Sequence, residues 1–326
     1  MNRTSENLES LRAHVATELR TPVAPRIEWL ANQLAAIHGK TVLGVLFYGS
    51  CLRKDTDDGV LDFWVVVDDY RAAYSKRWHS AINRIAPPNV FYVEVEREGR
   101  TLRTKYGVID RRAFKKGTSF GAWHPYVWAR FAQPARVLAC RDDASFTFFT
   151  ESVANAVVTM VGRLVCVLPA RGDILRFSLA AFWQEAFRRT YDSERRPEAD
   201  DHIRGFYAVD AERYDLVAGH ALQHLVSVGL FEEATPHPRS FQVKISERNQ
   251  RRLRLRWRLM RVYARFVGLL RLAKTAITFG DWVPYVLWKL ERHTGRRIEL
   301  SERQRKHPLI FAWPIIIPLL LRRNLR

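Results

Sequence analysis

Residues 41–67 read TVLGVLFYGSCLRKDTDDGVLDFWVVV. Thr41–Tyr48 and Val60–Val67 are short apolar runs, rich in Val and bounded by Gly and Asp clusters. At that length and composition both are expected to be buried strands. Downstream, Tyr70–Ile85 has the pattern of a helix and stops at Pro87-Pro88. Val90–Glu96 alternates, turns at Glu98-Gly99 and returns over Leu102–Ile109, which predicts a hairpin. Upstream, residues 5–38 form one or two amphipathic helices interrupted near Pro22–Pro25. From about residue 145 the periodicity is mostly helical, over 150–168, 173–192, 209–230 and a basic stretch 246–275, with Ser193–Asp201 as a charged break. An α+β chain follows. Its parts are an N-terminal helical segment (1–40), a mixed catalytic domain (41–145), a mostly helical domain (146–245) and a basic segment ending in an apolar tail (246–326).

The 326 residues are 47% hydrophobic and 12% aromatic, enough for a packed core and too apolar for a disordered chain. The net charge of +19 points to a polyanionic partner, nucleic acid or an anionic membrane face. Arg dominates the basic residues, and its planar fork matches phosphate oxygens bidentately. Cys51, Cys140 and Cys166 are far apart with no CxxC pair, as expected of buried thiols in a reducing compartment. The start, MNRTSENLESLRAHV, lacks an apolar core, and Glu6, Glu9 and Glu18 are foreign to an organellar presequence. A cytoplasmic location is the expectation.

Gly49-Ser50 closes the first strand, and Asp62 lies twelve residues beyond the Ser, inside the second. Nucleotidyltransferases of the polymerase-β type use this arrangement. Gly lets backbone approach a triphosphate, the Ser hydroxyl holds phosphate oxygens, and a carboxylate on the next strand holds Mg²⁺. A carboxylate in a Val-rich strand needs an ion or partner; the lesser alternative is that Asp62 sits at a strand end and caps a turn. That pattern places a second carboxylate two residues on, where this chain has Trp64. Asp68 is roughly 20 Å along the strand, too far to share an ion. Glu94 and Glu96, on one face of the Val90–Glu96 strand, are the candidates for the second metal carboxylate if that strand neighbours the first two. The same two residues also suit a solvated edge strand.

Residues 45–140 resemble the mitochondrial phosphatidate cytidylyltransferase family, which makes CDP-diacylglycerol. The resemblance runs through Tyr48-Gly49-Ser50, Leu61-Asp62-Phe63 into Val67-Asp68-Asp69, and Trp78-His79-Ser80. It continues in Lys105-Tyr106-Gly107-Val108-Ile109 and in Tyr126 with Arg130, Gln133 and Pro134; Tyr191–Arg196 is a fainter match. Like this chain, the family lacks the carboxylate two residues after the first. The resemblance implies transfer of CMP from CTP to phosphatidate with Mg²⁺. It implies Asp62 on the ion, Gly49 and Ser50 on the β- and γ-phosphates, and Lys105 as a point charge on a phosphate. Arg196 is a further phosphate-binding candidate, though a solvated loop arginine fits there as well. His79 suits helix packing or capping at least as well as catalysis. His220 and His224 have zinc-pair spacing without the Glu of the zinc-protease motif.

Residues 308–321, PLIFAWPIIIPLLL, form an apolar run too short to span a bilayer and broken by Pro314 and Pro318, followed by Arg322-Arg323. Such a run suits a segment dipping into one leaflet or a core-packed terminus. Arg248–Arg271 alternates arginines with Leu, Trp, Val and Phe, the texture of a basic amphipathic helix. Residues 248–271 and 307–326 therefore favour a peripheral enzyme on the inner face of a membrane. Nucleic acid is disfavoured as the partner, since no RNA-binding module is recognisable. The competing readings are an RNA nucleotidyltransferase and a membrane-bound protein that kept this fold and lost its activity.

Overall fold

Both apolar runs are strands in the computed structural model, which describes residues 3–75, 77–194 and 200–278. The chain enters through α1 (Arg3–Leu19) and α2 (Pro25–His38), then runs β1 (Val42–Tyr48), α3 (Ser50–Arg53) and β2 (Val60–Val67). Two short helices, α4 (Tyr70–Ala73) and α5 (Arg77–Ile85), replace the single helix expected there. The break falls at Tyr74, whose extended backbone lets its hydroxyl accept from Asn83 Nδ2 at 2.9 Å. The expected hairpin forms as β3 (Asn89–Arg97) and β4 (Arg100–Asp110), followed by α6 (Arg111–Thr118), α7 (Trp128–Phe131) and β5 (Ala135–Leu138).

The rest is α8 (Asp143–Leu164), β6 (Ile174–Ser178), α9 (Leu179–Ser193), α10 (Asp200–Val209), α11 (Ala211–Ser227), β7 (Glu233–His237), β8 (Ser240–Lys244) and α12 (Glu247–Thr278). α8 starts earlier than its periodicity suggests because the Asp142 carboxylate accepts from Ser145 N–H at 2.7 Å. A small antiparallel sheet in the order β6-β8-β7 was not anticipated within the helical part. Its first strand occupies the start of the helix expected over 173–192. Leu175 and Phe177 are buried while Arg176 and Ser178 point outward, the two-residue alternation of a strand.

The larger sheet has the order β3-β4-β2-β1-β5. β1 is antiparallel to β2 and β5, β3 is antiparallel to β4, and β2 and β4 run parallel. Both faces are covered. Leu43, Leu46, Trp64 and Val66 pack toward α1, α8 and α11, and this core continues to Leu253 and Trp257 of α12 without interruption where strands give way to helices. Val45, Phe47, Phe63, Val65 and Val67 pack toward α2 and Tyr70 on the other face. The segment Asp143–Val167 is apolar and long enough to cross a membrane, yet it is mostly buried inside this core. Cys51 and Cys166 are buried as expected, whereas Cys140 is exposed, because it lies in the bend after the edge strand β5.

Phe114 is fully buried, with ring centroids 5.0 Å from Phe131 and 6.2 Å from Trp64. Phe114→Ala is expected to cost about 3–5 kcal/mol, read as a lower urea midpoint at unchanged slope.

Candidate active site

Strand register places Tyr48, Asp62 and Lys105 side by side. Tyr48 pairs with Asp62 across β1 and β2, and Asp62 pairs with Lys105 across β2 and β4. Directly paired residues share a face, so the three side chains leave the sheet together. Lys105 Nζ lies 3.1 Å from Asp62 Oδ1 with both groups partly open to solvent. Gly49 follows Tyr48 with φ of 98°, a backbone conformation that L side chains rarely adopt. A Cβ there would sit 3.1 Å from Asp62 Oδ2. Gly49 is therefore required twice, by its backbone and by the approach of the carboxylate.

Where a second carboxylate would stand, Trp64 is buried and its indole Nε1 donates to the Tyr48 hydroxyl at 3.3 Å. Burial, with the Asp62 charge adding to it, pushes the Tyr48 phenol up to about 12. It remains a neutral hydroxyl beside the carboxylate.

Arg130, from α7, supplies the neighbouring charge. It is buried and makes a bidentate pair with Glu194, both contacts 2.9 Å, and donates to Tyr126 O at 2.6 Å. Burial opposes its charge, but Glu194, Tyr126 and Tyr48 outweigh that and hold the guanidinium above its ordinary range. The Tyr126 ring is sandwiched, with Arg130 Cζ 3.8 Å and Arg271 Cζ 4.1 Å from its centroid. Arg271, reaching over from α12, donates to Pro87 O at 2.8 Å and meets the His124 ring at 3.0 Å. Burial first, then Arg271 and Arg130, brings His124 down to about 2, so this imidazole is neutral. Tyr126 and Arg130 stand in the family resemblance, and Glu194 only within its fainter Tyr191–Arg196 match; the sequence assigns a role to neither Glu194 nor Arg271, because their partners lie 64 or more residues away and no local pattern marks them.

Glu94 and Glu96 do not join this group. They lie on β3, the edge strand, and β4 stands between β3 and β2. Glu94 faces Arg103 at 3.4 Å and accepts from the Tyr92 hydroxyl at 2.5 Å, while Glu96 accepts from Thr101. The expectation of a neighbouring strand fails because the parallel pairing puts the returning arm of the hairpin, not its first arm, against β2. Arg196 and residues 307–326 lie outside the described residues. His79 packs edge-on against Tyr74 and Phe91.

Among the described residues no three His, Cys, Asp or Glu side chains gather as a metal site. Asp62 presents one carboxylate with Ser50 at the adjoining turn. That set fits Mg²⁺, which commonly takes one or two carboxylates and completes its shell with substrate phosphates and water. What converges at the sheet end is a carboxylate, an ammonium, a guanidinium and a neutral hydroxyl, suited to a phosphorylated substrate.

No protein-family model and no curated protein matches the chain. A solved structure described as a nucleotidyltransferase-like protein from Exiguobacterium sibiricum 255-15 aligns at 11% identity over 90% of this chain and 91% of that one, with a TM-score of 0.26. At that score it carries no argument.

Removing the partner of a buried charge leaves it uncompensated. Glu194→Ala is expected to lower stability by about 3–5 kcal/mol, and the double variant Arg130→Met/Glu194→Leu by less. Chemical denaturation of the wild type and the two variants checks this; equal losses in the single and double variants would contradict it.

Proposed function

We propose that the chain is a nucleotidyltransferase that transfers CMP from CTP to phosphatidate, giving CDP-diacylglycerol and pyrophosphate at a membrane surface. The observation that carries the reading is Asp62 held between the Gly49 turn and Lys105 at the end of the sheet. The sequence resemblance supplies the substrates.

In that reading the phosphate oxygen of the acceptor attacks the α-phosphorus of CTP in line. The new P–O bond forms as the bond to the β-phosphate oxygen breaks, and the electron pair leaves with pyrophosphate. The acceptor phosphate is already ionised near neutrality, so no strong general base is needed, and catalysis is positioning and charge neutralisation. Lys105 turns from Asp62 to a phosphate oxygen of the bound triphosphate. Ser50 donates to the β- or γ-phosphate, and the Gly49 backbone gives it room. Tyr48, protonated, is a donor to the same oxygens. Asp62 and the phosphates would hold Mg²⁺, which, when bound, neutralises charge on the phosphate oxygens. Arg130, committed to Glu194, acts as a fixed positive charge behind the site.

The test is formation of labelled CDP-diacylglycerol from CTP on phosphatidate vesicles with Mg²⁺. Asp62→Asn is expected to lower the rate by roughly a hundredfold or more. Wild-type protein that binds the vesicles and makes no product with any nucleotide would leave the inactive-fold reading.

The membrane part rests on α12. Leu253, Trp257, Met260 and Ala264 are buried, while Leu255, Leu259, Val262 and Phe266 are exposed, Val262 by 68%. The exposed set follows helical spacing and stands beside arginines, as an anionic bilayer requires. Replacing both Leu259 and Phe266 by Ser is expected to weaken flotation with anionic vesicles at least tenfold and leave the folded circular dichroism spectrum unchanged. Unchanged flotation would remove α12 from the membrane contact.

A further inference from the structure

Arg254, Arg258, Arg261 and Arg265 recur at intervals of four, three and four residues, so they line a single face of α12. That face is turned toward α9 and the turn after α8 and is separate from both the buried and the exposed apolar stripes. Arg254, Arg258 and Arg261 of that face, with Arg189 of α9, wall a cleft of about 420 Å³ whose apolar side includes Leu168 and Trp257.

The charges in the cleft are unbalanced. Arg189 pairs with Glu185 at 2.6 Å, and Asp192 takes Arg265 at 3.1 Å and Arg261 at 4.0 Å. Arg254 is positioned by donating to Cys166 O at 2.7 Å and to Gln250 Oε1 at 3.2 Å. Arg258 has no carboxylate or carbonyl partner among the described residues and stands at the open side of the cleft. Four guanidiniums (Arg189, Arg254, Arg258, Arg261) thus line the cleft, and the two described carboxylates beside them, Glu185 and Asp192, are shared with Arg188 and Arg265. Like charges held this close repel unless an anion joins them. Forked donors on two helices, one of them anchored to a carbonyl, suit the several oxygens of a phosphate group.

We infer that the cleft between α9 and α12 is a phosphate-binding site, distinct from the Asp62 site, that takes a phosphomonoester group. The group belongs either to a soluble phosphate or to a phospholipid headgroup; the exposed apolar stripe on the same helix would bring Arg258 against a bilayer. The inference does not rest on nucleotidyl transfer, and its readout is binding alone.

The full chain, Arg258→Ala and Arg251→Ala are compared in magnesium-free buffer. Arg251 lies on the same helix, outside the cleft, paired with Glu247, so it controls for loss of one positive charge. Binding of inorganic phosphate is measured by calorimetry. Flotation is measured with phosphatidylcholine vesicles containing phosphatidate. Arg258→Ala is expected to weaken binding roughly tenfold, the usual scale for losing a charge-assisted contact, while Arg251→Ala changes it little. A loss toward inorganic phosphate assigns the cleft to a soluble phosphate, and a loss on vesicles alone assigns it to a headgroup. Arg258→Ala binding both probes as the wild type does, or Arg251→Ala losing as much, would overturn the inference.

Discussion

Strands β1 and β2 carry apolar side chains on both faces, and such strands are stable only when both faces are covered. Helix α2 and the Tyr70–Tyr74 segment cover one face, and α1, α8 and α11 cover the other. The apolar cover gives way at one end of the sheet, where Tyr48, Gly49 and Asp62 meet. A carboxylate is tolerated there because it is part solvated and has Lys105 at 3.1 Å. The polar site is thus the gap left by the packing of an otherwise apolar sheet.

Around that gap the electrostatics are asymmetric. One carboxylate, Asp62, stands beside Lys105, and Arg130, whose charge is balanced by Glu194, acts on the neighbouring Tyr48. Trp64, two residues beyond Asp62, spends its N–H on Tyr48, holding the phenol hydroxyl next to Asp62. The Tyr126 ring between Arg130 and Arg271 ties α12 to the edge of the same region. The carboxylate end of the sheet and the arginine-rich helix are therefore one continuous structure.

Helix α12 resolves the basic stretch into faces with different work. Its core stripe anchors it through Trp257 and Met260, its arginine stripe lines the cleft against α9, and its outer stripe carries exposed Leu, Val and Phe. From the sequence these merge into a simple alternation of Arg with apolar residues. Two apolar stripes lie on different sides of the helix, and only packing shows which is core.

The sequence alone determined the strands β1 and β2, the β3–β4 hairpin and the Gly49-Ser50-Asp62 constellation. Each of these is local: apolar run length, turn residues and two-residue alternation act within a few positions. Lys105 beside Asp62 rested on resemblance until the strand order placed it there. The small sheet β6-β8-β7 was hidden because five-residue strands next to a long helix yield to the stronger helical period. Tertiary structure alone decided that β4 and not β3 lies against β2, which removes Glu94 and Glu96 from Asp62. It alone brought Glu194 to Arg130 and Arg271 to Tyr126 across long separations in sequence. The physical reason is that strand order and buried ion pairs are settled by which apolar faces must be covered together, and no local periodicity records that.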